Sequence, residues 1–374
     1  MIKAQEIVES IADAFQFISY YHPKDFIDAV FTAYKKEQSL AAKDALAQIL
    51  TNSKLCAIGK RPICQDTGIA TIFVKIGHEC KFDFNNESLT DLLNEGVRLA
   101  YTDKNNPLRA SVLADPASQR INTMDNTPAV IHFEVCSGTD LDIICAAKGG
   151  GSEAKSKLFM LNPSDSVTDT IINAIPTMGA GWCPPGILGI GIGGTPEKAL
   201  LLAKKSLMDS INIQHLIKSG PQNKIEELRL EIYQRANELG IGAQGLGGLT
   251  TVLDVKILQY PTHAANLPVG LIPNCAATRH IHFKLDGSGP AKLTPPVLTD
   301  YPDVNWQPDE ESAIRVNLDN LTKNDLSKWK MGERLLLTGH LLTGRDAAHK
   351  RLCDMIKKKE KLPVNLQNRV IYLD

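Results

Sequence analysis

Three of the chain's eight cysteines stand in polar, Gly/Pro-rich contexts: Cys64 in PICQDTG, Cys183 in GWCPPG and Cys275 in PNCAATRH. Thiolates are the usual ligands of iron–sulfur clusters, and three of them on a four-iron cubane leave one iron free to act as a Lewis acid. The spacing by itself does not define such a site, because it matches no CxxC pattern and lone cysteines are commonly small buried hydrophobes. A structural zinc site is a further reading, disfavoured by the lack of a fourth ligand near these three. Cys136 in VIHFEVC and Cys145 in LDIICAA lie in strand-like apolar runs that core packing explains, and Cys56, Cys80 and Cys353 have no chemically suggestive neighbours.

Two glycine motifs could approach an anionic ligand. Lys148-Gly149-Gly150-Gly151-Ser152 can present backbone N–H groups at close range, although a loose loop accounts for it equally well, and it lacks Walker spacing. Gly189, Gly191 and Gly194 satisfy GxGxxG between an apolar strand-like run and a helix opened by Thr195 and Pro196. No second strand ends in an acid at the expected offset, since Asp209 falls in or at the end of the helix, so a tight turn explains the motif better than a dinucleotide. His280 and His282 alternate on one strand face but have no evident third ligand.

The motifs PICQDTG, NPLRASVL, DNTPAV, KGGGSE, PNCAATRH, RVNLD and LTGRDAAHKR, in this order, resemble the class I fumarases, iron–sulfur hydro-lyases that also include the two-subunit tartrate dehydratases. The resemblance runs over nearly the whole chain. It implies a [4Fe-4S] cluster on Cys64, Cys183 and Cys275 and a small dicarboxylate substrate. It further implies Arg109, His263 and Arg345 as catalytic residues, with Gln65, Asp66, Gly149 and Gly150 contacting substrate. His349 would orient Arg345 or Asp346. The expected reaction is hydration of fumarate to (S)-malate, with L(+)-tartrate dehydration as the alternative, and the family implies a homodimer.

In that family the C-terminal domain continues beyond the strand matching RVIYL into a segment with a threonine proposed as base, an arginine and a lysine. The present sequence stops at Asp374. The expectation is therefore a fragment, or a site completed by a separate C-terminal chain, with the 374 residues inactive alone; a non-catalytic truncated product is the competing reading.

Positioning these residues calls for an α/β fold in two parts. Residues 2–50 carry apolar positions at helical spacing and form a helical entry layer. Strand runs at 69–76 and 128–147, helix candidates at 88–101, 197–217 and 224–239, and strands near 187–192 and 250–258 give a mixed-sheet N-terminal domain over 1–286. Five prolines mark 287–308 as a linker to an incomplete second α/β, swivel-like domain over 309–374. With 43% apolar and 22% charged residues and a net charge near −1, the composition offers no footprint for nucleic acid or anionic membrane. The N-terminus lacks a signal-peptide core and no apolar run reaches membrane-spanning length, so the expected location is the cytoplasm.

Overall fold

Ser39, Ser88, Ser166 and Asn223 each precede a run of helical periodicity, and each side chain accepts a backbone N–H from three residues on, at 3.4, 3.1, 3.1 and 3.0 Å. Such local signals set these four helix starts. The structure, a computed structural model, describes residues 1–374 except 85, 305, 307–310, 312, 332, 345 and 373–374, and of residue 346 the backbone alone. Two compact units divide the chain, residues 1–306 and 307–374.

The first unit opens with three helices, α1 (Ala4–Tyr20), α2 (Lys24–Lys36) and α3 (Leu40–Gly59), followed by strand β1 (Ile69–Gly77), helix α4 (Leu89–Tyr101) and strands β2 (Val130–Cys136) and β3 (Leu141–Lys148). A single-turn helix α5 (Gly150–Glu153) leads to β4 (Lys157–Leu161), α6 (Val167–Met178), β5 (Gly186–Gly193), α7 (Pro196–Ser206), α8 (Ile213–Ser219) and α9 (Lys224–Glu238). Strands β6 (Val252–Tyr260), β7 (Leu267–Asn274) and β8 (His280–Leu285) complete it. Two four-stranded mixed sheets result, ordered β8-β3-β1-β2 and β6-β5-β7-β4, with β1/β2 and β5/β6 the parallel pairs.

Each sheet has its own core. Ile7, Ile11, Phe15 and Ile18 of α1 and Leu93 and Val97 of α4 pack on Ile72, Val74 and Ile143 of the first sheet. Ile171 and Ile175 of α6 and Ile232 of α9 pack on Leu188, Ile190, Val255 and Val269 of the second. Helix α7 lies on the opposite face of that sheet, and the GxGxxG glycines are what let it sit there. A Cβ on Gly189 would come within 2.2 Å of the Ala203 carbonyl oxygen, and one on Gly191 within 2.0 Å of that of Ala199. The motif is a helix-on-strand contact.

The periodicity at 197–217 breaks into α7 and α8, because distant carboxylates capture the chain between them. Asp254, fully buried on β6, accepts the amides of Asn212 and Ile213 at 2.8 and 3.2 Å, and Asp25 accepts that of Ile211 at 2.7 Å. The proline-rich stretch to Trp306 lies with the first unit. Ala291 N–H bonds Ser10 Oγ at 2.9 Å, Asp303 pairs with Lys54 at 2.7 Å, Tyr301 is buried, and Trp306 Nε1 donates to Asp44 at 2.5 Å.

In the second unit, β9 (Ile314–Asn317) precedes the short helix α10 (Lys323–Leu326) and pairs in parallel with β10 (Leu335–Thr338). Strand β11 (Leu342–Thr343) precedes helix α11 (Asp346–Lys357) and pairs in parallel with β12 (Ile371–Tyr372). Among the described residues no helix is long and apolar enough to cross a membrane.

Candidate active site

Cys183 immediately precedes the segment that becomes β5, and Cys275 directly follows β7. Because β5 and β7 are antiparallel neighbours with Ile187 opposite Asn274, both cysteines emerge at the same end of the second sheet. The Ala276 amide donates to the Cys183 carbonyl at 3.0 Å, and Cys183 adopts the left-handed conformation (φ 55°). Cys64 arrives from the loop between α3 and β1, its Sγ donating to Gln65 Oε1 at 3.3 Å.

The three thiols lie near enough to act on one another. Burial pushes the Cys183 thiol up, and the Cys275 and Cys64 sulfurs add to the effect. Burial also raises Cys64, against a lowering by the Arg279 guanidinium. Among the described residues no three His, Cys, Asp or Glu side chains converge closely enough to hold a single metal ion. A cubane spreads its thiolate contacts over separate irons, so three neighbouring but non-convergent thiols fit a cluster better than a lone ion.

Asp66 binds the loops around these thiols together. Its Oδ1 accepts Gly68 N–H at 2.9 Å and its Oδ2 accepts Gly150 N–H, at the start of α5, at 2.6 Å. Its carbonyl accepts Nη1 of Arg279 at 2.7 Å. Gly68 has φ +79°, and a Cβ there would stand 2.7 Å from the Lys148 backbone, so only glycine allows PICQDTG to run this close to KGGGSE.

Arg109 joins the same neighbourhood through its backbone. Thr67 Oγ1 donates to its carbonyl, and Tyr101 OH, deeply buried and pushed up to about 12 by that burial, donates to the Thr67 carbonyl at 3.1 Å. Asn126 of DNTPAV is the hub. Fully buried with φ 62°, it accepts the amides of Ser111 and Val112 at 2.7 and 3.1 Å and donates to the Gly68 carbonyl at 3.0 Å.

His263 lies elsewhere. It belongs to the connection from β6 to β7, at the opposite end of the second sheet from Cys183 and Cys275, and a strand of eight residues separates those ends by roughly 25 Å. It lines an open cleft of about 510 Å³ with Gly194, Thr195, Lys198 and Tyr260. Its Nδ1 accepts the Ala265 amide at 3.1 Å, which leaves Nε2 as the protonated nitrogen of the neutral ring. The structure therefore gathers Cys64, Gln65, Asp66, Gly149, Gly150, Cys183 and Cys275, with the Arg109 backbone tied in, and leaves His263 apart. Arg345 lies outside the described residues. His282 pairs with Asp142 at 2.7 Å on the first sheet.

Three further residues at the site were not assigned a role from the sequence. Lys148, 2% exposed, donates to Ser152 Oγ at 2.9 Å and to the Pro273 carbonyl at 2.5 Å, and burial lowers its ammonium to about 8. Arg279 is 4% exposed. His22, between α1 and α2, bonds Ser53 Oγ at 2.8 Å and the Ala276 carbonyl at 3.1 Å, and burial drives its pKa to about 3. A basic residue inside a recurring motif, as in KGGGSE and PNCAATRH, was the available hint for the first two.

Comparison with known proteins matches the family profile Fumarate hydratase (Fumerase) to residues 8–284 and the profile Fumarase C-terminus to residues 287–373. The chain is 37% identical over 292 residues to the putative L(+)-tartrate dehydratase subunit alpha of Methanocaldococcus jannaschii, covering 75% of this chain and 99% of that protein. It is 30% identical over 357 residues to the anaerobic class I fumarate hydratase of Escherichia coli, covering 90% of this chain and 63% of the relative. With the aerobic class I enzyme of Salmonella typhimurium it is 32% identical over 346 residues, covering 87% and 57%. The chain thus spans less than two thirds of the length of these two fumarate hydratases.

Proposed function

Since the chain belongs to the class I fumarate hydratase family of hydro-lyases, which takes in the tartrate dehydratases, we propose that it forms the cluster-binding part of an enzyme that hydrates fumarate to (S)-malate. The observation that carries the choice of fumarate is the extent of the matches. The tartrate dehydratase alpha subunit is accounted for by 292 residues, whereas the fumarate hydratases align over 357 and 346 and the C-terminus profile covers 287–373. L(+)-tartrate is the second reading, favoured by the 37% identity to the alpha subunit over nearly its full length.

Cys64, Cys183 and Cys275 would hold a [4Fe-4S] cluster. Bound there, it would supply an iron not taken by cysteine, a Lewis acid for the substrate hydroxyl. Arg109, whose carbonyl is fixed by Thr67, would place a planar guanidinium against one substrate carboxylate. Asp66 holds Gly150 N–H and thereby sets the path of the glycine loop beside the substrate. The residues assigned here include none that takes the C–H proton.

His263 enters this scheme only from a second copy of the chain, because within one chain its sheet end lies about 25 Å from the cysteines. A homodimer is therefore part of the proposal, with Nε2–H of one copy's His263 donating to substrate in the other's site. Dicarboxylate substrate, homodimer and a cytoplasmic location complete the reading.

The test is an anaerobic assay of the iron- and sulfide-reconstituted protein with fumarate, (S)-malate and L(+)-tartrate. It is run alone and with a polypeptide supplying the remainder of the relatives' C-terminal domain. Expected is fumarate hydration at a higher kcat/KM than tartrate dehydration. Tartrate turnover exceeding fumarate turnover would overturn the substrate choice. Mixing His263→Asn chains with Cys64→Ser chains should restore part of the activity that each lacks alone, and failure of rescue in mixed dimers removes the shared site.

A further inference from the structure

Arg279 is almost wholly buried, yet only one side of its guanidinium is occupied. Nη1 donates to the Asp66 carbonyl at 2.7 Å, while Nε and Nη2 are buried without a hydrogen-bond partner. A buried guanidinium with two unsatisfied donors is costly, and the cost falls when an anion takes those donors. The Asp66 carboxylate is not their partner, its two oxygens accepting backbone N–H groups from Gly68 and Gly150 instead.

A second cation is buried beside it. Lys148 has oxygen partners, Ser152 Oγ and the Pro273 carbonyl, but these are neutral, and Glu153 pairs with Lys204 at 2.8 Å. Both cations reach the thiols through the fold. Arg279 grips the carbonyl two residues after Cys64, and Lys148 grips the carbonyl two residues before Cys275. Among the described residues no buried carboxylate is salt-bridged to either of these two buried positive charges, an arrangement that suits a negatively charged group bound beside them.

Resting on the cluster assignment above, we propose that Arg279 and Lys148 are the fixed counter-charge of the group held by Cys64, Cys183 and Cys275, with Nε–H and Nη2–H of Arg279 donating to its sulfur atoms. A four-iron cluster on three thiolates is negatively charged, and more so after one-electron reduction. Hydrogen bonds to its sulfurs and nearby charge set its potential and its retention. Arg279 and Lys148 are positioning residues in this role. They favour the more negative state of the cluster and hold the two loops that carry its ligands.

The experiment compares wild type, Arg279→Gln, Arg279→Lys and Lys148→Met after anaerobic reconstitution. Reduction potential is read by an electron-paramagnetic-resonance redox titration, and cluster loss by bleaching of visible absorption under an Fe(II) chelator. Arg279→Gln and Lys148→Met should each shift the potential negative and bleach several-fold faster. Arg279→Lys should restore the potential while still bleaching faster than wild type, because one ammonium cannot hold the Asp66 carbonyl and reach the sulfurs together. Wild-type potentials in both Arg279→Gln and Lys148→Met would overturn the inference and leave the cluster assignment standing. A wild-type protein that binds no iron–sulfur cluster overturns both. Circular dichroism reports whether each variant folds, and Lys148→Met, on a different strand, keeps the inference falsifiable if Arg279→Gln does not.

Discussion

The carboxylate of Asp66 accepts the amide proton of Gly150 at 2.6 Å, joining two motifs that stand 84 residues apart in sequence. The first amide of α5 is thus satisfied from within the protein, and the path of the glycine loop is set before any ligand arrives. Asp66→Ala would remove the protein acceptor of both the Gly68 and Gly150 amides, at about 0.5–1.5 kcal/mol for each bond. A urea-unfolding midpoint unchanged by the substitution would show that water replaces the carboxylate at no cost.

The three cysteines should behave as a set. Reconstituted wild type is expected to show broad visible absorption with about four irons per chain. Cys64→Ser, Cys183→Ser and Cys275→Ser should each lose most of both, whereas Cys136→Ser, at the far end of edge strand β2, should keep them. Full iron and colour in any one of the first three would remove that residue from the ligand set.

Arg109→Ala should lower kcat/KM for fumarate by roughly 2–5 kcal/mol of transition-state binding, the scale for stranding a buried carboxylate without its charged partner. The measurement is steady-state kinetics on the enzyme complemented with the C-terminal polypeptide. Unchanged kcat/KM would remove Arg109 from the substrate-binding residues.

What the residue order disclosed and what it concealed divides along the range of the contacts. Ser88 and Thr195 mark helix starts because a cap and its helix are neighbours, and the apolar runs at 69–76 and 187–192 read as strands for the same reason. The break at 207–212 was hidden because Asp254 and Asp25, which cause it, lie some 40 and 190 residues away. Likewise, prolines at 287–306 signal the absence of helix but say nothing of Ser10, Asp44 or Lys54, which hold that stretch down. The candidate ligands were legible as turn cysteines. His263 stands only twelve positions before Cys275, but β7 fills that interval and carries the chain across the whole sheet.

His22 should make stability pH-dependent. Its folded pKa, about 3, lies below the unfolded value of about 6.5, so the neutral ring is the native form. The stabilisation it provides is complete above pH 6.5 and declines as pH falls toward 3, by about 1.4 kcal/mol per unit. Between pH 6.5 and 5 the wild-type protein should lose about 2 kcal/mol more than His22→Asn, as measured by urea unfolding. Parallel pH profiles would mean that the folded pKa of His22 lies close to its unfolded value.

Cys183 and Cys275 leave adjacent strands of the second sheet, while Cys64 belongs to the loop that feeds the first. Each sheet packs on a separate core, so any group gripping all three sulfurs would act as a further rivet through the two plates, beside the Lys148–Pro273 and Lys205–Glu134 contacts that already join them. Withdrawing the rivet leaves the β5–β7 pairing intact and frees the α3–β1 loop first. Oxidative damage at the metal would therefore register as amide exchange around residues 60–68 well before either sheet loosens.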